Sequence, residues 1–243
     1  MIQLAKPYLP EPVIAETLEK IREVLESGHL TQGNVVAELE NNVKDYIGCN
    51  HAIAVSNCTI GLEIALRVFN VSTGDKVIVP AYTHPATHQV IRSVKATPCL
   101  VDVVKETALL DVKQAMLEFP CANAVLPVSL FGNPFDVGSI HKEFGSIIPI
   151  IEDAACSLGS AHSNIMTGNT PDISVFSFHP RKIITTGEGG LITTNNDELA
   201  IHIRDYLNFG GYRNLKGTNG KMSDINAAVG VVQMKYIDIM TKS

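Results

Sequence analysis

The sequence predicts an α/β protein, a three-layer α/β/α arrangement built on a mainly parallel, mixed sheet. Three observations carry that expectation. Short apolar runs, AIAV (52–55), KVIVP (76–80), CLVDV (99–103), NAVLPV (123–128) and IPIIED (148–153), alternate with helical patterns, which is the signature of crossover units on a parallel sheet. Strands of that sort are covered on both faces. With 243 residues, 45% of them hydrophobic and 18% charged, the chain can bury a core of the size one large domain needs.

The elements follow in order. From Pro12 to Gly28, the apolar residues Ile14, Leu18, Ile21, Val24 and Leu25 recur at helical spacing, and Gly28 supplies a stop. LTQG (30–33) reads as a loop before a second helix through Val36, Leu39, Val43 and Tyr46. Residues 1–50 are therefore read as an N-terminal helical segment packing on a main domain, 51–243. After the five runs come two more strands, ISVFSF (173–178) and GGLITT (189–194), which flank a lysine. An amphipathic helix at 197–207, a polar Gly/Asn loop at 209–220 and a last helix at 223–240 complete the chain.

Composition excludes several classes. A net charge of -6 without a Lys/Arg cluster argues against a nucleic-acid binder. Cys49, Cys58, Cys99, Cys121 and Cys156 are scattered without a CxxC pair, so neither a disulfide framework nor a zinc ribbon is expected and a reducing cytosol fits. The start, MIQLAKPYLPEPV, lacks the apolar core of a signal peptide, and no apolar stretch reaches the ~20 residues of a membrane helix. The expectation is a soluble, cytoplasmic protein without a membrane partner.

Ligands of open α/β sheets sit beyond the carboxyl ends of the strands, so chemistry is sought there. After AIAV comes SNCTIGLEIAL (56–66); free backbone N–H groups and the Thr59 hydroxyl could hold a phosphate at a helix N-terminus, or Ser56, Asn57 or Thr59 could simply cap that helix. AYTHPATH sets His84 and His88 four apart, but it lacks the intervening glutamate of the helical zinc motif and a third ligand. Packing or ligand stacking is the better reading. Asp153 ends a buried run and either caps the next turn or pairs with a cation such as a protonated ring nitrogen. ISVFSF delivers Ser177, then His179 and Lys182. A lysine in a partly dry pocket is a nucleophile toward carbonyls, whereas a snorkelling surface lysine is the ordinary alternative. Taken together, a phosphate cradle (Thr59, Ser177), a ring-stacking candidate (His84), an acid for a pyridinium nitrogen (Asp153) and an amine (Lys182) describe pyridoxal 5'-phosphate.

The motifs AVSNCT (54–59), GDKVIVPAYTHPAT (74–87), PVSLFGNPFD (127–136), IEDAACSLG (151–159), FSFHPRKIITTGEGG (176–190) and NGKMSDINAAVGVVQM (219–234), with LAKPYL and SGHLTQG nearer the start, resemble the DegT/DnrJ/StrS family of PLP-dependent sugar aminotransferases, of the aspartate aminotransferase fold type I. The resemblance implies that Lys182 carries the cofactor covalently and that Asp153 keeps its pyridine nitrogen protonated. It further implies that Cys58, Thr59 and Ser177 surround the phosphate, that His84 stacks on the ring, and that Cys156 lies near the ring oxygen. Asn219 would reach the phosphate from a neighbouring subunit, implying a homodimer with shared sites. Three positions depart from the family pattern: Cys58 replaces a usual glycine, Cys156 a frequent glutamine, and Lys221 a frequent arginine. Members also continue past the last helix into a C-terminal small domain, expected here to be largely absent.

The implied activity is transfer of an amino group, typically from glutamate, to a nucleotide-linked keto-deoxysugar in cell-surface polysaccharide or antibiotic-sugar biosynthesis. Two alternatives stand beside it: a truncated, non-catalytic PLP-binding homodimer, and a PLP-dependent sugar dehydratase. Lys182 argues against the dehydratase, whose branch carries histidine there. A nucleotide-binding module built on TTGEGG is poorly supported, because GxxxxGK[ST] is missing.

Overall fold

Strand period decides how the described part of the chain, residues 6–145, 148–211 and 216–242 of a computed structural model, is layered. The strands are β1 (His51–Val55), β2 (Lys76–Pro80), β3 (Thr97–Val101), β4 (Ala124–Val125), β5 (Ile151–Asp153), a two-residue hairpin β6 (Ala161–His162) and β7 (Ile165–Met166), β8 (Ile173–Ser177) and β9 (Gly190–Thr194). The ladders run β3-β2-β4 and β5-β8-β9-β1, and parallel bridges Val125–Ile150 and Val128–Asp153 join β4 to β5. The result is a mixed sheet in which β9 is antiparallel to both neighbours and the other described pairings of this sheet are parallel.

The helices are α1 (Glu11–Ser27), α2 (Asn34–Ile47), α3 (Cys58–Val68), α4 (Pro85–Ser93), α5 (Val112–Glu118), α6 (Val137–Phe144), α7 (Asp197–Leu207), α8 (Asp224–Met234) and α9 (Ile237–Lys242). Successive strand residues point to opposite faces. Ile53, Val55, Ile151, Ile173, Val175 and Ile192 therefore enter one core with α3, α4 and α7, while Ala52, Ala54, Phe176, Phe178 and Leu191 enter another with α2, α8 and α9. That is the covered-on-both-faces sheet the apolar runs predict.

Several boundaries differ from expectation. NAVLPV is a ladder strand only at Ala124 and Val125, because Pro127 has no N–H to donate. Its carbonyl still accepts from Asp153 N at 2.9 Å, and Leu126 N donates to Ile78 O at 2.8 Å, so the segment stays extended between its neighbours. The expected helix over 223–240 is two helices: the break at Lys235 and Tyr236 lets both side chains reach Glu16 on α1, at 2.8 and 2.7 Å. The β6–β7 hairpin was not anticipated. Ser163 and Asn164 both hold positive φ, 51° and 66°, the conformation a two-residue hairpin turn demands. Residues 4 and 5 of LAKPYL and 212–215 of the polar loop lie outside the described residues.

The N-terminal helices are tied to α8 by polar bonds at long range. Gly33 is the N-cap of α2 and has no side chain to accept from the first turn. Asp224, buried at the start of α8, fills that role: its carboxylate accepts from Gly33 N at 2.8 Å and Val36 N at 3.2 Å. A Cβ on Gly33 would collide with the same carboxylate. Asp224→Ala is expected to lower unfolding stability by about 1–2 kcal/mol, read as a lower urea midpoint.

Candidate active site

Lys182 lies in the loop between β8 and β9, so the awkward cation between two apolar runs is outside both strands. The loop is closed at its base by Phe178 N donating to Gly189 O and Thr186 N donating to Phe178 O, each at 3.0 Å. From α8, the Gln233 amide accepts from Thr185 N at 3.0 Å and donates to Thr185 O at 2.5 Å. Asn226 adds bonds to the carbonyls of Thr186 (2.7 Å) and Glu188 (3.1 Å). Within this frame a turn from His179 O to Lys182 N, 2.9 Å, presents the half-buried lysine, whose Nζ donates to Cys156 Sγ at 3.0 Å.

Asp153, at the end of β5, is 5% exposed. Thr87 Oγ1, itself fully buried on α4, donates to its Oδ2 at 2.8 Å, and Ala155 N donates to its Oδ1 at 3.1 Å. Burial pushes this carboxyl above the ordinary aspartate value, and the Thr87 and Ala155 donors, the Lys182 ammonium and His84 oppose that push without reversing it. The two readings of Asp153 thus coexist: one oxygen caps the following turn, and the group also sits in the field of a cation. Cys58, buried beside it, has its thiol pushed well up by burial and by the Asp153 charge, against Lys182.

The phosphate-site candidates converge because of Gly190. This residue pairs with Ser177 on one side and Val55 on the other. A Cβ there would stand 2.8 Å from Cys58 N and 2.9 Å from the Asn57 carbonyl carbon, so only glycine lets β9 approach the start of α3 so closely. Asn57 is the residue that caps α3, accepting from Ile60 N at 2.9 Å. The N–H groups of Cys58 and Thr59 have no acceptor among the described residues. Cys58 has helical backbone and is not among the positive-φ residues, so its side chain meets no left-handed backbone strain. Ser177, opposite Gly190 in the ladder, uses its Oγ to accept from His179 N at 3.3 Å.

Other candidates are placed differently. His84 is exposed and is the N-cap of α4, its Nδ1 accepting from Ala86 N at 3.2 Å. His88 bonds to Pro80 O at 2.9 Å, and no metal-binding group of three occurs among the described residues. Asn219 is exposed and bridged to Asn208, beside Gly220, whose carbonyl accepts from Ser56 N at 2.7 Å just before the α3 turn. Lys221 is turned onto its own loop, 4.8 Å over the Phe209 ring and 3.3 Å from Asn208 Oδ1. Thr87, Gln233 and Asn226 were not foreseen. Thr87 had a readable signal, a hydroxyl in the first turn of the helix after β2, but the two α8 amides had none, since each acts across the fold.

Chemically, the site offers a primary amine, a buried carboxylate suited to a cationic ring nitrogen, and free N–H donors suited to a phosphate. A group carrying a carbonyl, such a ring and a phosphate fits these residues. The carboxylate also sets a pH dependence. An acid whose folded pKa is raised contributes stability in its protonated form, present at low pH and lost as pH rises through that pKa. With no cofactor added, Asp153→Asn is therefore expected to raise the urea midpoint at neutral pH, and the gain should shrink as pH falls through the raised Asp153 value.

The profile of the DegT/DnrJ/EryC1/StrS aminotransferase family matches residues 12–243. A GDP-perosamine synthase of Caulobacter vibrioides is 38% identical over 214 residues, covering 85% of this chain and 58% of its own length. Among solved structures, the sugar aminotransferase Spr1654 of Streptococcus pneumoniae in its PMP form superposes with a TM-score of 0.89 at 28% identity, covering 98% of this chain and 66% of that one. DesI, solved with its TDP-sugar product, gives 0.88 at 31% identity, covering 97% and 60%. The chain thus spans roughly three fifths to two thirds of the length of these relatives, and it belongs to the DegT/DnrJ/EryC1/StrS aminotransferase family.

Proposed function

We propose that the protein containing this chain is a pyridoxal-phosphate-dependent aminotransferase that moves an amino group from an amino acid, glutamate being the expected donor, to the keto carbon of a nucleotide-linked sugar. The single observation that carries this reading is the Lys182 amine held on a clamped loop within the field of the buried Asp153. Relatives described as a GDP-perosamine synthase and as an enzyme with a TDP-sugar product support the sugar-nucleotide class, and a PMP-form neighbour supports the cofactor.

When bound, pyridoxal phosphate supplies an aldehyde for amines and a ring that delocalises negative charge from the reacting carbon. The chain's own residues do the rest. Asp153, oriented by Thr87 and Ala155, holds the ring nitrogen protonated and so favours that delocalisation. Cys58 and Thr59 N–H groups and the Ser177 hydroxyl would hold the phosphate at the α3 N-terminus. His84 would lie against the ring. Lys182 would anchor the cofactor, and its amine, when free, would serve as the base that takes a proton from the donor's α-carbon. Cys156, whose Sγ accepts from Lys182 Nζ at 3.0 Å, would stand beside that amine. A second copy supplying Asn219 to the phosphate completes the proposal, with the site shared across a homodimer.

The test is spectroscopic and then chemical. Pyridoxal phosphate added to the protein should give a visible band, and borohydride reduction should leave the label on Lys182 by peptide mapping. Glutamate should convert the bound cofactor to pyridoxamine phosphate, and Lys182→Ala should slow that conversion by about 100-fold or more. A label on another lysine, or a band that no amino acid discharges, would sink the reading.

A further inference from the structure

We infer that Cys156 and Lys182 form a peroxide-sensitive pair, in which the oxidised thiol is captured by the lysine amine as a reversible sulfur–nitrogen bond. The contact itself carries the inference: Nζ stands 3.0 Å from Sγ, the thiol is exposed, and both side chains hang from loops at the same sheet edge, Cys156 after β5 and Lys182 after β8. Exposure admits an oxidant, and a sulfenic acid condenses with whatever nucleophile adjoins it.

The other cysteines mark what is special about this one. Cys49, Cys58 and Cys99 are buried, and burial pushes all three thiols up, away from the reactive thiolate. Cys121 is as open to solvent as Cys156 but touches no amine. Only Cys156, among the described residues, combines access with a nitrogen nucleophile in contact.

The chemistry balances in two steps. A peroxide transfers one oxygen to the Cys156 thiol, giving the sulfenic acid and water; sulfur loses two electrons and the O–O bond takes them. The neutral Lys182 amine then attacks that sulfur, the S–N bond forms, the S–O bond breaks, and the hydroxyl leaves as water with a proton from nitrogen. Thiols reverse the link, returning the amine and, after a second exchange, the Cys156 thiol. While linked, Lys182 is no longer a primary amine and cannot condense with an aldehyde. The consequence for the enzyme rests on Lys182 being the cofactor's anchor, whereas the link does not.

The full-length chain is treated with hydrogen peroxide, with and without prior pyridoxal phosphate, and mapped by mass spectrometry. Expected is a joined pair of peptides carrying Cys156 and Lys182, lighter by two hydrogens than their sum, lost on dithiothreitol and lost in Cys156→Ser. Cys121 should yield a sulfenic acid that dimedone traps, with no partner peptide. Prior pyridoxal phosphate should prevent the link; a link that forms equally with the cofactor added would count against Lys182 as its anchor while leaving the pair intact. A dimedone adduct on Cys156 beside an unmodified Lys182, a Cys58–Cys156 disulfide, or Cys156 oxidising no faster than Cys121 would each overturn the inference.

Discussion

Gln233 enters the lysine loop as a strand neighbour would, its amide exchanging two hydrogen bonds with the backbone of Thr185 while a third goes back to Val229 on its own helix. The residue is 1% exposed, so each of those groups, left unpaired, would bear its full desolvation cost. Asn226, two helical turns earlier on the same face, donates to the carbonyls of Thr186 and Glu188. Because α8 also caps α2 through Asp224, one helix fixes the N-terminal helices, the lysine loop and their mutual position. Lys182 can face the end of β5 only while that loop keeps its shape, and its shape is enforced from α8.

Asp153 shows the opposite balance. Its burial disfavours the charge it is placed to carry, and Thr87, Ala155, Lys182 and His84 together only soften that penalty. Such a residue weakens the fold at neutral pH and becomes favourable when a cation is brought against it. Burial, helped by the Asp153 charge and opposed by Lys182, pushes the neighbouring Cys58 thiol well up, away from the reactive thiolate. The proposed site and this destabilisation share one sheet edge, and the polar clamps of α8 brace the lysine loop beside it.

Much of the fold was legible because it follows from local rules. The apolar runs at 52–55, 76–80, 173–178 and 189–194 became β1, β2, β8 and β9 within a residue of their expected ends, since strand burial on both faces writes itself as consecutive apolar residues. NAVLPV misled because apolar pattern does not report a missing N–H, and the 223–240 helix misled because no Gly or Pro marks the break at Lys235 and Tyr236. At the site, Lys182, Asp153, Thr59 and Ser177 could be named from their places after strands, whereas the contact between Lys182 and Cys156 could not, because 26 residues and two loops separate them.

By itself the sequence determined which residues would end the strands and therefore which chemical groups would gather at one edge, because strand alternation and the order of crossover units depend on neighbours along the chain. Only the tertiary structure decided how those groups are tuned. Thr87 on Asp153, Gly190 against the α3 turn, Gln233 on the lysine loop and the thiol beside the amine are pairings between distant segments. Hydrogen-bond geometry and desolvation act over a few ångströms of space, and the distance along a chain carries no record of them.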